Sequence, residues 1–413
     1  MYPKQHFNPP TQHGHKTNAR KVEIMRIHNI NKVHDLRPPR CGTVFWRAAV
    51  LACSLSLLLR ATSVLADHGD RDDHGSRGHG FNRRGDILIA DQFNNRVIEA
   101  TLEGKIVWSF GLGPNDFSAH SIIGCNDAQR VGRFTLMAGT GTPPNVIPQA
   151  PNGAVDNRVI LVDEHGRIVW QYGQFGQTGS GPNLLSTPVQ STWLPTFHVL
   201  ITDQGNNRII EVGLHKHIVW QYPGSNTNAS DQLSSPNSAE LLENGHILIA
   251  DENNSRAIEV TRDDEIVATF TASGTLGACA FASRLDNGDT LLTDTSNAQA
   301  VEVDPHDKVV WQFATATDPM SITNPLPTRA VRLSDGDTLI SDQFNNRVIR
   351  VSHAGNIVFS YGLPLAGGTT IGNNVGYDLH TTQNGLYAPY DAKVVGNYTG
   401  LTPPFDSDED ADD

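Results

Sequence analysis

The chain repeats one motif six times, and that periodicity restricts its fold more than any other feature. Asp91–Gly111 reads DQFNNRVIEATLEGKIVWSFG and Asp342–Gly362 reads DQFNNRVIRVSHAGNIVFSYG. Shorter variants begin at Asp156, Asp203, Asp251 and Asp294. Aligned on the Arg of the N-N-R triplet, the copies place Arg96, Arg158, Arg208, Arg256, Gln299 and Arg347 in one position, spaced 62, 50, 48, 43 and 48 residues apart. A repeat of this length cannot bury its own apolar faces. Stacked on its neighbours it can, which is how a propeller blade of four short strands is stabilised.

Within each repeat an earlier strand pair precedes the motif. Ser238–Ile249 is the clearest case, and Asn244-Gly245, Asn287-Gly288 and Asp335-Gly336 are two-residue turns that tolerate positive φ, as tight hairpins require. Ser191, Ala239, Ala282 and Ala330 each stand 17 residues before their aligned Arg or Gln, and Ala128 stands 30 before Arg158. The second repeat therefore carries an insertion in the Gly- and Pro-rich stretch Gly139–Gly153. Apolar runs such as Ile247-Leu248-Ile249 suit strands covered on both faces. Trp108, Trp170, Trp220 and Trp311 occupy one slot in the last strand, where a large ring can cover the neighbouring blade, with Ala268 and Phe359 in the other two copies.

The first repeat lacks an upstream inner strand. Leu386–Val395 supplies the pattern at the other end of the chain, with Ala392 in the Ala slot. The expectation is an all-β, six-bladed β-propeller over residues 85–400, closed by pairing of the C-terminal strand with the N-terminal blade, so that no open sheet edge is left between the chain ends. The units LIADQFNNRVIEA (Leu88–Ala100) and LITDQGNNRIIEV (Leu200–Val212) resemble NHL-type repeats of six-bladed propellers. The ending GRIVWQYG (Gly166–Gly173) is similar to repeats of arylsulfotransferase-like propellers. The resemblance implies architecture and little chemistry, because this fold hosts binding modules, lyases, hydrolases and transferases alike.

Residues 1–66 read as a leader. Arg37, Arg40 and Arg47 precede the charge-free run Ala48–Leu59, too short to span a bilayer as a helix, and Val64-Leu65-Ala66 resembles a signal cleavage site. An uncleaved anchor is the alternative. Export to the periplasm or the exterior is expected, with no stable membrane insertion after cleavage. Residues 67–84 are expected to form a disordered His/Asp/Gly-rich spacer, and 401–413 a disordered acidic tail. The whole chain carries a net charge of −13, and without residues 1–66 it holds 21 Lys/Arg against 42 Asp/Glu. Such a body argues against nucleic acid as a partner. A monomer is expected.

Residues repeated in nearly every blade are expected to be structural. Asp91, Asp203, Asp251, Asp294 and Asp342 read as caps on the N-N-R turn through its backbone N–H groups, rather than as calcium ligands. The slot just before the Ala or Ser varies instead: Asp391, Asp127, Gln190, Ser238, Phe281 and Arg329. Facing a central channel, these residues form either a ring of structural ion pairs and hydrogen bonds, or a polar ligand site. In the second reading Arg329 anchors an anionic group beside Asp391, Asp127 and Gln190, and His120 and His380 contribute from loops. His198 and His246 read as packed residues of second strands. Arylsulfotransferase-like enzymes are expected to use channel histidines, and none occupies the aligned slots. No H-E-x-x-H, G-x-S-x-G or phosphate loop occurs in the sequence. Cys125 and Cys279 replace a Pro in opposite blades and are expected to be free buried thiols. No metal or cofactor is assigned. A polar small molecule or a peptide is the expected partner, or the propeller is an interaction scaffold; an exported lyase, hydrolase or arylsulfotransferase-like enzyme is the alternative.

Overall fold

A computed structural model describes residues 80–224, 228–362 and 385–397. The leader (1–66), the acidic tail (401–413), residues 67–79 of the expected spacer and His380 lie outside the described residues. Among the described residues twenty-four strands form six four-stranded antiparallel sheets. Blade 2 contains β4 (Cys125–Val131), β5 (Phe134–Thr142), β6 (Ala154–Asp163) and β7 (Ile168–Gly173), from the channel outwards. Blade 3 runs from β8 (Pro188–Trp193) to β11 (Ile218–Tyr222), blade 4 from β12 (Pro236–Leu241) to β15 (Ile266–Phe270), blade 5 from β16 (Cys279–Arg284) to β19 (Val309–Ala314), and blade 6 from β20 (Arg329–Arg332) to β23 (Ile357–Gly362). The fold is a six-bladed β-propeller.

Blade 1 is shared between the two ends of the chain. Its order is β24 (Pro389–Val394), β1 (Ile87–Asp91), β2 (Arg96–Ala100), β3 (Ile106–Phe110). Ile89 pairs with Ala392 and Ala90 with Asp391, so the C-terminal segment is the inner strand. Phe81–Arg83, within the expected spacer, also engage this blade. Asn82 and Arg83 donate their backbone N–H groups to the Glu99 carboxylate, each at 3.0 Å, and Phe81 packs edge-on against Trp108 at 5.5 Å.

Side chains alternate across the pleat, so each blade faces two neighbours. Leu88 and Ala90 pack toward blade 2 with Trp108 and Met137, while Ile87 and Ile89 pack toward blade 6 with Leu339 and Val348. Ala128, Ser191, Ala239, Ala282, Ala330 and Ala392 are all buried. Ala239 and Ala330 lie opposite Ile249 and Ile340 on the second strand, a small residue against a large one. The Trp slot does two jobs. Beyond its ring contact, Trp108 donates its indole N–H to Glu164 O at 3.0 Å, Trp170 to Leu214 O at 2.9 Å, Trp220 to Arg262 O at 3.0 Å and Trp311 to His353 O at 2.9 Å, each on the next blade. Cys125 and Cys279 are free and buried. Among the described residues no helix is long and apolar enough to cross a membrane.

Candidate functional site

The D-x-x-N-N-R unit forms a single 3-10 turn between the second and third strands, at Gln92–Asn94, Gln204–Asn206, Glu252–Asn254 and Gln343–Asn345. The Asp does not cap the backbone of this turn, contrary to expectation. Asp91 Oδ2 accepts from Asn94 Nδ2 at 2.8 Å and from Arg96 Nε at 2.7 Å, and Oδ1 accepts the Tyr387 N–H at 2.7 Å, where the chain enters the inner strand. Asp203 repeats this with Asn206, Arg208 and the Ser186 N–H, and Asp251 with Asn254, Arg256 and the Ser234 N–H. The motif thus ties turn, third strand and strand entry within one blade.

The second Asn sits in the left-handed region, with φ of 48°, 52° and 52° at Asn95, Asn207 and Asn346, a conformation Asn tolerates well. It latches the following blade. Gly124, Ser235 and Ala388 donate their N–H groups to these three side chains at 3.0, 2.8 and 2.7 Å. Blade 2 reaches the same end by another route. Gly139 stands opposite Arg158 where the other blades carry Asp. Asp156 provides the carboxylate, receiving Arg158 Nε at 2.6 Å and the Ile123 N–H at 2.7 Å. A Cβ at residue 139 would lie 2.7 Å from Asp156 Cγ, so only Gly leaves room.

The variable slot lines the channel. Asp391, Asp127, Gln190 and Ser238 each accept the backbone N–H of the Ala or Ser slot in the next blade: Ala128 at 3.2 Å, Ser191 at 3.1 Å, Ala239 at 2.6 Å and Ala282 at 3.1 Å. The four polar residues hold the inner strands together in sequence around the ring. Phe281 and Arg329 have no acceptor to offer, so the ring of bonds stops there.

Arg329 crosses the channel. Its Nη1 donates to Asn237 Oδ1, Ala280 O and Thr328 O, and its Nη2 to Asn237 O at 3.1 Å and Val189 O at 3.4 Å. The guanidinium carbon lies 4.9 Å from the Tyr390 ring centre and 5.3 Å from that of Phe281. It is buried, and Nε has no partner among the described residues. Backbone dipoles and aromatic faces, instead of a carboxylate at salt-bridge distance, compensate this charge.

A second channel cation escaped the sequence reading. Lys393, two residues after Asp391 and hence on the same side of the strand, donates to Asp127 Oδ1 at 2.9 Å, to Ala128 O at 3.0 Å and to the Asp391 carboxylate. Burial disfavours its ammonium, but the two carboxylates outweigh burial and hold its pKa above the ordinary value. Burial raises Asp127, against the opposing pull of Lys393.

Antiparallel topology puts the D-x-x-N-N-R turns and the blade-to-blade loops at the same end of the channel. Gln92, Thr140, Gln204, Glu252, Thr295 and Gln343, each one residue past the Asp position, ring this mouth. The mouth is asymmetric. The insertion in blade 2 folds over blades 1 and 6, packing Ile147 and Ala150 with Phe93, Tyr387 and Ala388, and bringing Val146 and Phe344 against that cluster. Beneath this cap Gln343 donates to Gln92 and Gln92 to Asn126, both at 2.8 Å, all buried. Away from the insertion Gln204 and Glu252 are half-buried, and Glu252 Oε2 accepts from Asn237 Nδ2 at 2.7 Å. Asn237 also exchanges hydrogen bonds with the Tyr390 hydroxyl at 2.9 and 3.1 Å. Burial raises the Glu252 pKa, opposed by Asn237 and the charge of Arg329. His120 is exposed on the loop between blades 1 and 2. His198 and His246, at the start of second strands, are partly exposed and bond Glu211 at 2.6 Å and Glu259 at 2.7 Å. No cluster of three metal-ligating side chains occurs among the described residues.

No protein-family description matches the sequence, and no curated protein does. Solved structures with a similar outline include a Bacteroides caccae protein of unknown function (14% identity, 68% of this chain and 94% of that one, TM-score 0.49). Virginiamycin B lyase from Staphylococcus aureus is another (13% identity, 69% and 85%, TM-score 0.43), and a chain of the nidogen/laminin complex a third (11%, 69% and 95%, TM-score 0.46). Likenesses this distant carry no ligand or reaction across; the strand order itself defines the class, a six-bladed β-propeller.

Proposed function

We propose that the protein is an exported NHL-type propeller that binds a polar small molecule or a peptide at the half-capped channel mouth. The observation that carries the reading is the asymmetry of that mouth. Its polar ring is buried under the blade 2 insertion on one side and, among the described residues, only half-buried at Gln204 and Glu252 on the other. Convergent amides and one carboxylate over a channel filled by side chains suit ligand orientation. Asp391, Asp127 and Gln190 give the floor rigidity, Arg329 positions Asn237 and Tyr390, and His120 and His380 are the candidate loop contributors.

The test is a thermal-shift and calorimetric screen of polar small molecules and short peptides. Arg329→Ala and the milder Arg329→Lys are expected to abolish or weaken binding of the hit. Unchanged affinity with reduced stability would make Arg329 purely structural. Export is tested by N-terminal sequencing of secreted protein, expected to begin at or near Asp67; full-length protein retained in the cytoplasm overturns it.

A further inference from the structure

We infer that the half-buried side of the mouth receives a cationic group of the ligand, an ammonium or guanidinium, on Glu252. The inference rests on the binding reading above and deepens it.

Six residues follow the repeated Asp position, and their side chains are disposed of one by one. Thr140 donates its hydroxyl to Pro188 O at 2.6 Å, and Thr295 donates to Pro327 O. Gln92 and Gln343 bond each other beneath the cap. Gln204 leans on Glu252 at 3.4 Å. Glu252 alone carries charge. Its Oε2 takes both Asn237 and Gln204, and its Oε1 accepts no hydrogen bond from a described residue. The carboxylate is therefore half-buried, fixed in one orientation by neutral donors, and left with one oxygen unspent.

Such an oxygen is complementary to a donor, and a charged donor forms the stronger bond. Little orientational entropy remains to be lost, because the Asn237–Tyr390–Arg329 network already holds the carboxylate. Among the described channel residues an anionic group finds no equivalent. Both Nη atoms of Arg329 are engaged by carbonyl and amide oxygens, and the side chain is buried. The excess of acidic residues over the whole chain also draws cations toward the mouth.

The experiment is calorimetry of the chain lacking residues 1–66, with spermidine and the peptides Gly-Lys-Gly, Gly-Arg-Gly, Gly-Gln-Gly and Gly-Glu-Gly as probes. The cationic probes are expected to bind at least tenfold tighter than Gly-Gln-Gly, and Glu252→Gln to remove that preference. Glu252→Asp, which keeps the charge but withdraws it, should weaken binding yet retain the preference, and serves if the Gln variant does not fold. Equal binding of cationic probes to wild type and Glu252→Gln overturns the inference. Binding of Gly-Gln-Gly or Gly-Glu-Gly that equals the cationic peptides overturns it too, while leaving the binding reading standing. Failure of these probes and of the wider ligand screen sinks both.

Discussion

Replacing Pro325 by Ala should stabilise the protein at neutral pH and not in mild acid. In five blades the residue four before the channel slot gives its N–H to the buried Asp: Tyr387, Ile123, Ser186, Ser234 and Gly277, at 2.7–3.0 Å. In blade 6 that residue is Pro325, which has no N–H. The equivalence is structural as well, because Phe344 N–H bonds Pro325 O just as Phe93 bonds Tyr387 O. Asp342 Oδ1 consequently has no partner among the described residues, and burial pushes the Asp342 pKa up to about 6. Against the ordinary value of 3.8 that amounts to ~3 kcal/mol against the ionised folded form. Because the folded pKa is raised, the native state holds the extra proton. Stability is therefore lost as pH rises from about 4 through about 6, and the full cost stands above that. A restored N–H to a charged acceptor contributes about 1.5–3 kcal/mol. Releasing the unfolded chain from proline offsets about 0.4–1 kcal/mol. The net gain is on the order of 1–2 kcal/mol at pH 7.5, a few degrees in Tm, and near zero or negative at pH 4.5. Differential scanning calorimetry of both proteins at the two pH values decides the matter. An equal shift at both, or destabilisation at pH 7.5, would refute the reasoning.

Lys393→Met should cost about 3–5 kcal/mol in urea unfolding, because Asp127 and Asp391 lose their buried counter-charge. Adding Asp127→Asn and Asp391→Asn should recover much of it, and a loss under about 1 kcal/mol for the single change would show that the pair does not depend on Lys393. Ending the chain after Gly385 removes β24 with the buried Leu386, Tyr387, Tyr390, Val394 and Val395. At about 1.5–3 kcal/mol each that exceeds or matches a typical folding stability, so cooperative melting should disappear, and an unchanged Tm would contradict the closure.

The architecture was legible because it rests on periodic features. Repeat spacing, the Ala slot, the Trp slot and the match of Leu386–Val395 to a missing strand are all local patterns that stacking reinforces. The bonding of the repeated Asp was not legible, since its third partner, such as Tyr387 for Asp91, lies far along the chain. Blade 2 hid its variant for a similar reason: Asp156 and Gly139 exchange duties across a strand pair. The channel slot stands out by its variation from blade to blade, whereas nothing in the repeat sets Lys393 apart, although strand alternation places it beside Asp391. The reach of Arg329 to Asn237 and Val189, and the folding of the insertion over blades 1 and 6, depend on the closed ring and have no one-dimensional signature.

The shared first blade also sets an order of assembly. While the polypeptide emerges from its N-terminus, β1, β2 and β3 can pair only with one another, and the inner edge of β1 stays unsatisfied until residues 389–394 arrive. Blades 2 to 6 have all their strands contiguous in the chain and can form in passing. The earliest-made blade is therefore the last to be completed, and until then its open edge is the site most exposed to mispairing with another chain.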